Sequence, residues 1–515
     1  MERKFTEEQL AVIEAVGQPG ASLMIEAGAG CAKTTTLAAA AATVRVPALA
    51  LAFAVQNKLA LREALPANWE VKSFNGLGHG AWARSPQCRA AKLSAPDDRK
   101  TSKLVSQLAR DHKIELGEAQ WPQVRELVSR AMTAGIVPTG SGPEGLAPDD
   151  PAVWADLASE VGIDSGDIEM LAGLAREVLV QDIALARQGI ISYDDQVYCP
   201  TLLGARFPAF PVTAVDEDQD LSPVQVKMLG LASRDRIIAV GDRRQAIYAW
   251  RGASGQAGEL IRGLRPEWLE LPLMTSFRVP QVIAKRQQRH CPGFRAAPGN
   301  PEGRLASLPA AAQDSEAPSW SWRDLQALTA PTGALAVICR NNAPLLKMAF
   351  RLLRRGVGCQ MLGRDIGKGL VALSKKLAPD DAIPAARVRD LVTKWEAQEV
   401  STLTANGHPE RAEAVMDKSA SLLAVLEGSQ ARDAGQLRAM LGRLFERTEG
   451  QVTLASIHRA KGLEWGTVLA LDPWRGQADR AKASVAGEQE RNLDYVRETR
   501  TRHTLVFGNS DEFGG

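Results

Sequence analysis

The chain has almost no net charge, few aromatic residues and no unbroken apolar run long enough to span a bilayer. With 62 Lys and Arg against 60 Asp and Glu the formal charge is +2. A polyanion surface therefore has to come from local clustering, not from a basic chain. Aromatics are 5% of the residues, so any stacking platform must be drawn from a small set. The six cysteines, at 31, 88, 199, 291, 339 and 359, contain no C-x-x-C pair. They read as buried thiols in a reducing compartment rather than as disulfides or zinc ligands. The charged start, Phe5-Thr-Glu-Glu and the residues before it, has no signal-peptide apolar region, and the apolar stretch 36–55 is broken by Arg45 and Pro47. A soluble protein with no membrane span is expected, cytoplasmic or, if phage-encoded, in the host cytoplasm.

What is present is organised as sheet and helix. A chain of 515 residues exceeds one ordinary core, and roughly three to four domains is the prior. Short apolar or β-branched runs recur at 48–54, 212–215, 237–240, 334–339, 452–456, 468–471 and 504–507. Helical patterns lie between many of them, which predicts parallel sheets with crossover helices. The runs fall into two groups, 22–240 and 334–507, so two α/β domains are expected. Each group is interrupted by a helical stretch: 82–200, around a Pro/Gly/Ser break at 137–151, and 366–450. The polar segment 298–318 reads as a loop or linker.

The most informative residues are Glu26-Ala-Gly-Ala-Gly-Cys-Ala-Lys-Thr-Thr35. They follow the apolar run 22–25 and lead into the alanine-rich stretch 36–43. A strand, a tight loop (Gly28, Ala29, Gly30, Cys31, Ala32) and a helix start bearing Lys33, Thr34 and Thr35 form a phosphate cradle. Backbone N–H groups face the anion, Lys33 supplies a point charge and the Thr34 hydroxyl can ligate Mg²⁺. Downstream, Phe210-Pro-Val-Thr-Ala-Val-Asp-Glu-Asp-Gln-Asp220 ends an apolar strand in adjacent carboxylates. Asp216 is suited to hold Mg²⁺ through water and Glu217 to orient and deprotonate an attacking water; the competing explanation is a solvated acidic turn. A third segment, Val240-Gly-Asp-Arg-Arg-Gln-Ala-Ile-Tyr-Ala-Trp-Arg-Gly-Ala253, places Gln245, a candidate γ-phosphate sensor, near Tyr248, Trp250 and Arg251. Those aromatics can stack on bases or pack in a core.

The order of these segments resembles the superfamily I DNA helicases of the UvrD/Rep branch, over almost the whole chain. Phe5-Thr-Glu-Glu-Gln9 is similar to the family's Q motif, and 26–35 to its Ala-Gly-Ala-Gly-x-Gly-Lys-Thr loop except at Ala32. Phe53 with Asn57-Lys58 resembles motif Ia, and Ser73-Phe74-Asn75 the element after it. Residues 216–220 resemble motif II with Asp218 in place of an uncharged residue, and 241–253 motif III. Thr275-Ser-Phe-Arg278 resembles motif IV, Ile457-His-Arg-Ala-Lys-Gly-Leu-Glu-Trp465 motif V, and Glu490 to Arg500 motif VI.

The resemblance implies two RecA-like parallel-sheet P-loop NTPase domains, each with a helical insertion. The first comprises 1–81 and 201–280 with an insertion at 82–200; the second comprises 281–365 and 451–515 with a short insertion at 366–450. It implies ATP and Mg²⁺ as cofactors, with Gln9 reading adenine, Phe277 lying on it and Glu464 at the sugar. Arg278 and Arg500 would act as arginine fingers from the second domain, and closure on ATP would drive movement. Single-stranded DNA and its junctions with duplex are the implied partners, with 3′→5′ stepping and roles in replication or repair alongside protein partners. Phe53, Phe74, Tyr248 and Trp250 become candidate base platforms, and Arg251 and His458 strand contacts.

Two departures keep alternatives open. Ala32 adds a methyl where glycine is usual: harmless if its φ is negative, straining and weakening if positive. The second insertion is short for this branch, and only 15 residues follow Arg500, so no C-terminal nuclease is expected. The expected protein is a monomeric ATP-dependent helicase. The rivals are a translocase that strips proteins from single strands, and a nucleotide-gated DNA-binding module with a weakened ATPase.

Overall fold

The strands of this α/β chain are short and apolar. β2, Ala48-Leu-Ala-Leu-Ala52, is buried at every position, the mark of a parallel strand covered on both faces. The computed structural model describes residues 4–52, 55–90, 92–117, 120–163, 166–247, 257–309, 320–329, 334–405, 409–446, 449–474 and 485–513. The chain divides into two compact units, Met1–Thr275 and Ser276–Gly515; the sequence placed the first domain limit at 280.

Unit 1 holds β1 (Ser22–Ala27), β2, β3 (Trp69–Ser73), β4 (Phe210–Asp216), β5 (Ser233–Gly241) and β6 (Trp268–Leu273). They pair in the order β3-β2-β4-β5-β1-β6, every pair parallel. β4, β5 and β1 are therefore neighbours whose C-terminal ends open on one edge. Arg236 on β5 fastens the helix Glu7–Gly17 to this sheet, its guanidinium donating to the carbonyls of Ala15 (2.7 Å), Gln18 (2.6 Å) and Ala21 (2.8 Å).

Between β3 and β4 run six helices, from Phe74–Ala83 to Asp195–Leu202. The helix Pro151–Val161 shows how its break was written locally. The Asp150 side chain caps Ala152 N, Pro151 fills the first turn, and Gly162 ends it at φ 81°, as capping chemistry requires. These helices enclose their own core around Trp82, Leu127, Leu179 and Tyr198. Inside it Lys100 Nζ donates to Asp182 Oδ1 (2.8 Å) and Asp195 Oδ2 (2.6 Å), the lysine side chain 1% exposed and both carboxylates 0%.

The chain leaves unit 1 within β7 (Thr275–Ser276), which forms a two-stranded sheet with β8 (Arg295–Ala296). Unit 2 is built on β9 (Arg304–Leu308), β10 (Leu335–Cys339), β11 (Cys359–Met361), β12 (Val452–Ser456), β13 (Trp465–Leu471) and β14 (Thr501–Gly508). Their order is β11-β12-β10-β13-β14-β9, again all parallel. Four helices between β11 and β12, Arg364–Leu377, Ala385–Ala405, Pro409–Ser429 and Ala434–Glu446, pack Leu422, Val425 and Leu441 into the core beneath that sheet. The expected loop at 298–318 needs correction, because β9 lies within it. Arg-Leu-Ala-Ser-Leu has no β-branched residue, and its pairing with β14, not local propensity, makes it a strand. No described helix is long and apolar enough to cross a membrane.

The Lys100 network sets the first prediction. Lys100→Met leaves two buried carboxylates without their cation, at a cost of about 3–5 kcal/mol. A fall in the thermal midpoint is expected, with proteolysis opening in the 100–200 region first; an unchanged midpoint and cleavage pattern would contradict this reading.

Candidate active site

Because β1, β4 and β5 are adjacent and parallel, the segments that follow them meet at one edge of unit 1, where open α/β sheets bind ligands. The loop after β1 leads into the helix Lys33–Ala41. β4 ends in Asp216, with Glu217 next in the chain, and β5 ends in Gly241, followed by Asp242.

One hydrogen-bonded chain links all three. Lys33 Nζ lies 2.7 Å from Glu217 Oε2, a partly buried pair. The same carboxylate oxygen accepts from Gln219 Nε2 at 2.7 Å, and Gln219 Oε1 accepts from the Asp242 backbone N at 2.9 Å. Asp242 Oδ2 then accepts from Gln245 Nε2 at 2.7 Å. Gly241 is required by packing, since a Cβ there would lie 1.7 Å from Asp218 Oδ1. Glu26, at the end of β1, binds Arg243 (3.1 Å) and Arg244 (2.9 Å), fastening the third segment to the first.

Charge is crowded here. Burial opposes the Lys33 charge, but the fields of Glu217, Asp216 and Asp242 outweigh it and raise its pKa. Burial, then repulsion from Glu217, lifts Asp216 to about 6. Burial, then Glu26, lifts Asp218 to about 7. Such a site is short of cation, and divalent metal chemistry would relieve it. The donors fit Mg²⁺: the Thr34 hydroxyl and the Asp216 carboxylate are hard oxygens, and Mg²⁺ is commonly held by one or two carboxylates plus phosphates. No cage of three or more His, Cys, Asp or Glu exists among the described residues.

The backbone answers the question posed by Ala32. It caps the helix Lys33–Ala41 at φ 56°, ψ 39°, in the left-handed region. Glu217 is also left-handed, at φ 59°. Left-handed residues other than glycine cost about 1–2 kcal/mol, and such strain gathers at functional sites. Here one such residue adjoins Lys33 and the other is its ion-pair partner.

Other expected residues fare differently. Gln9 is 3% exposed, and its amide braces the loop: Oε1 accepts from Thr6 N (3.0 Å) and Nε2 donates to Thr36 Oγ1 (2.9 Å), whose hydroxyl donates to the Ala32 carbonyl (3.0 Å). A capping box with Thr6 also holds this amide beside the loop. Phe74 is a correction: at 2% exposure it packs with Leu49, Leu77 and Met228 in the unit 1 core, so its ring has no open face for a base. Phe53, Tyr248, Trp250 and Arg251 lie outside the described residues.

In unit 2 the expected residues gather at the N-terminal ends of β13 and β14, where Trp465 N donates to Arg500 O at 2.9 Å. Glu464 forms ion pairs with Arg278 and Arg502. Arg500 is 1% exposed; its guanidinium donates to Val496 O (2.9 Å), Leu463 O (3.4 Å) and Thr499 Oγ1 (3.1 Å). Phe277 is 46% exposed, open to a flat ring, and His458 is half-buried in the short helix Ile457–Ala460.

Comparisons with known proteins match the segments that carry part of this site. Residues 191–258, which carry the Asp216–Glu217 and Gln245 segments, match the UvrD/REP helicase N-terminal domain family. The matched segments are similar to those of UvrD/Rep-type helicases of superfamily I. ATP-dependent DNA helicase UvrD2 of Mycobacterium tuberculosis is 28% identical over 57% of this chain and 46% of its own length. F-box DNA helicase protein 1 of Schizosaccharomyces pombe is 25% identical over 59% of this chain and 34% of its own. ATP-dependent DNA helicase Rep of Escherichia coli is 29% identical over 28% and 24% respectively. The chain thus spans less than half the length of each of these relatives. Within it Gln219, Asp242 and Glu26 join the site, although all three sat unassigned inside the quoted motifs.

Glycine at position 32 tests the strain. Ala32→Gly should raise stability by about 1 kcal/mol in chemical denaturation and tighten nucleotide binding. Loss of stability on that change would contradict the left-handed assignment.

Proposed function

We propose that the chain is an ATP-driven motor on single-stranded DNA, stepping 3′→5′ and opening duplex at junctions, with Mg²⁺ as its metal. The observation that carries the reading is the linked set Lys33–Glu217–Gln219–Asp242–Gln245 at the edge of unit 1. It joins a phosphate-binding lysine, a carboxylate base and a sensor glutamine in one chain of bonds.

The groups act in sequence. The phosphates of ATP, more highly charged than a carboxylate, take Lys33 from Glu217. Glu217, thus released, orients water and accepts its proton as the γ-phosphoryl group is attacked. When bound to Thr34 and Asp216, Mg²⁺ would neutralise phosphate charge. Gln219 reports the state of Glu217 to Asp242 and so to Gln245, the path by which chemistry would reach the DNA segment that follows. Arg278 is the proposed finger: its present partner, Glu464, is a carboxylate that a nucleotide would replace. Arg500, held by three acceptors within unit 2, keeps its guanidinium at a fixed place. Phe277 offers its open face to adenine, and His458 contacts the strand. A monomer suffices for this scheme, and replication or repair proteins are its expected partners.

A second reading, a nucleotide-gated DNA-binding module with a weak ATPase, is favoured by the left-handed Ala32.

Steady-state phosphate release with and without single-stranded DNA separates the two. The motor reading expects DNA to stimulate release and Lys33→Ala to abolish it. Arg278→Ala should lower turnover by about 10³-fold or more. Release that is absent, or indifferent to Lys33→Ala, would sink the motor reading.

A further inference from the structure

The helix Glu7–Gly17 carries two adjacent polar side chains that face different partners. Thr6 caps it, and Glu7 and Glu8 lie in its first turn, where an acid ordinarily does no more than oppose the helix dipole. Glu8 does more. Its Oε2 accepts from the backbone N of Met274 (2.9 Å), the backbone N of Thr275 (3.1 Å) and the Thr275 hydroxyl (3.1 Å). Two successive N–H groups and a hydroxyl converging on one oxygen form an anion nest. The carboxylate charge makes such bonds roughly twice as strong as neutral ones.

That nest sits where the chain leaves unit 1. Thr275 is the last residue of the unit, and Phe277 and Arg278 follow almost at once. Met274 and Thr275 are both buried. Leu273, directly before them, is bonded to the phosphate loop, its carbonyl accepting from Gly28 N at 2.8 Å. On the other side of Glu8, Gln9 Nε2 donates to Thr36 Oγ1 (2.9 Å), and that hydroxyl donates to the Ala32 carbonyl (3.0 Å). Residues 273–275 are therefore tied to the phosphate loop twice, directly at Gly28 and by way of Glu8, Gln9 and Thr36. Networks of packed, hydrogen-bonded groups of this kind are what carry coupling between sites.

We propose that Glu8 is a positioning residue: it passes the state of the phosphate loop to residues 273–275, and so sets the start of the segment that carries Phe277 and Arg278. Phosphate entering beside Ala32 and Lys33 alters the Ala32–Thr36 contact, Gln9 moves with Thr36, and Glu8 carries the change to its three donors. The proposal rests on the nucleotide reading of the loop given above.

Hydrogen exchange of the full chain, with and without Mg²⁺ and the slowly hydrolysed analogue ATPγS, tests it. In the unsubstituted chain the analogue should slow exchange in both the loop peptide 26–36 and the exit peptide 268–276. In Glu8→Ala the loop should still respond and the exit peptide should not, although its basal exchange rises. Glu8→Gln, which keeps the side-chain length and one acceptor oxygen, should give an intermediate response at 268–276. In phosphate release Glu8→Ala should lower kcat about tenfold, the worth of one charge-assisted contact, at unchanged KM for ATP. A clamp with no part in coupling would raise basal exchange and leave the nucleotide response in place. Three results would overturn the proposal: an exit response in either folded variant equal to that of the unsubstituted chain, a response confined to 26–36 in the unsubstituted chain, or a raised KM at unchanged kcat. A loop peptide indifferent to the analogue would instead defeat the nucleotide reading, and the proposal with it.

Discussion

The ion pair between Lys33 and Glu217 is the contact on which the site depends. It joins the first residue of the helix after β1 to the residue after β4, across a sheet in which β5 lies between those strands. Only a parallel order of β4-β5-β1 brings the three loop ends to one edge, so the topology and the pair imply each other. Two costly backbone conformations flank the pair. Ala32 and Glu217 are both left-handed, and each sets the direction of one partner.

Two residues extend that pair into a relay. Gln219 bonds the Glu217 carboxylate on one side and the Asp242 backbone on the other, so a change of partner at Glu217 alters a contact to the third segment. Gln245 shares the Asp242 carboxylate and lies directly before the Tyr248–Arg251 segment expected to meet DNA. Coupling of this kind needs few residues because each link is hydrogen-bonded and partly or fully buried, and an unmet link there is expensive.

Much of this was legible in the sequence, for a physical reason. A phosphate loop is a local object: Gly28, Gly30, Lys33 and Thr34 act through spacing along the chain. The same holds for Asp216 and Glu217 at the end of an apolar strand. Properties that depend on partners distant in sequence were not legible. Phe74 reads as a ring beside polar residues, yet its burial depends on Leu49 and Met228. Gln9 reads as an adenine contact, and its bond to Thr36 shows only in the fold. Arg304–Leu308 has no strand propensity, yet β14 makes it one. The sign of φ at Ala32 could be posed as a question but not answered, because the loop's closure on Glu217 decides it.

The account's central claim is that Glu217 holds Lys33 in reserve until phosphate displaces it. The most direct test is the equilibrium affinity for ATP of Glu217→Gln beside the unsubstituted chain. Removing the carboxylate charge frees Lys33 for phosphate, so the account predicts tighter ATP binding, by roughly tenfold for one lost charge-assisted contact, with hydrolysis nearly abolished. Weaker ATP binding by Glu217→Gln would contradict it, because the pair would then be supporting the loop rather than competing with the nucleotide.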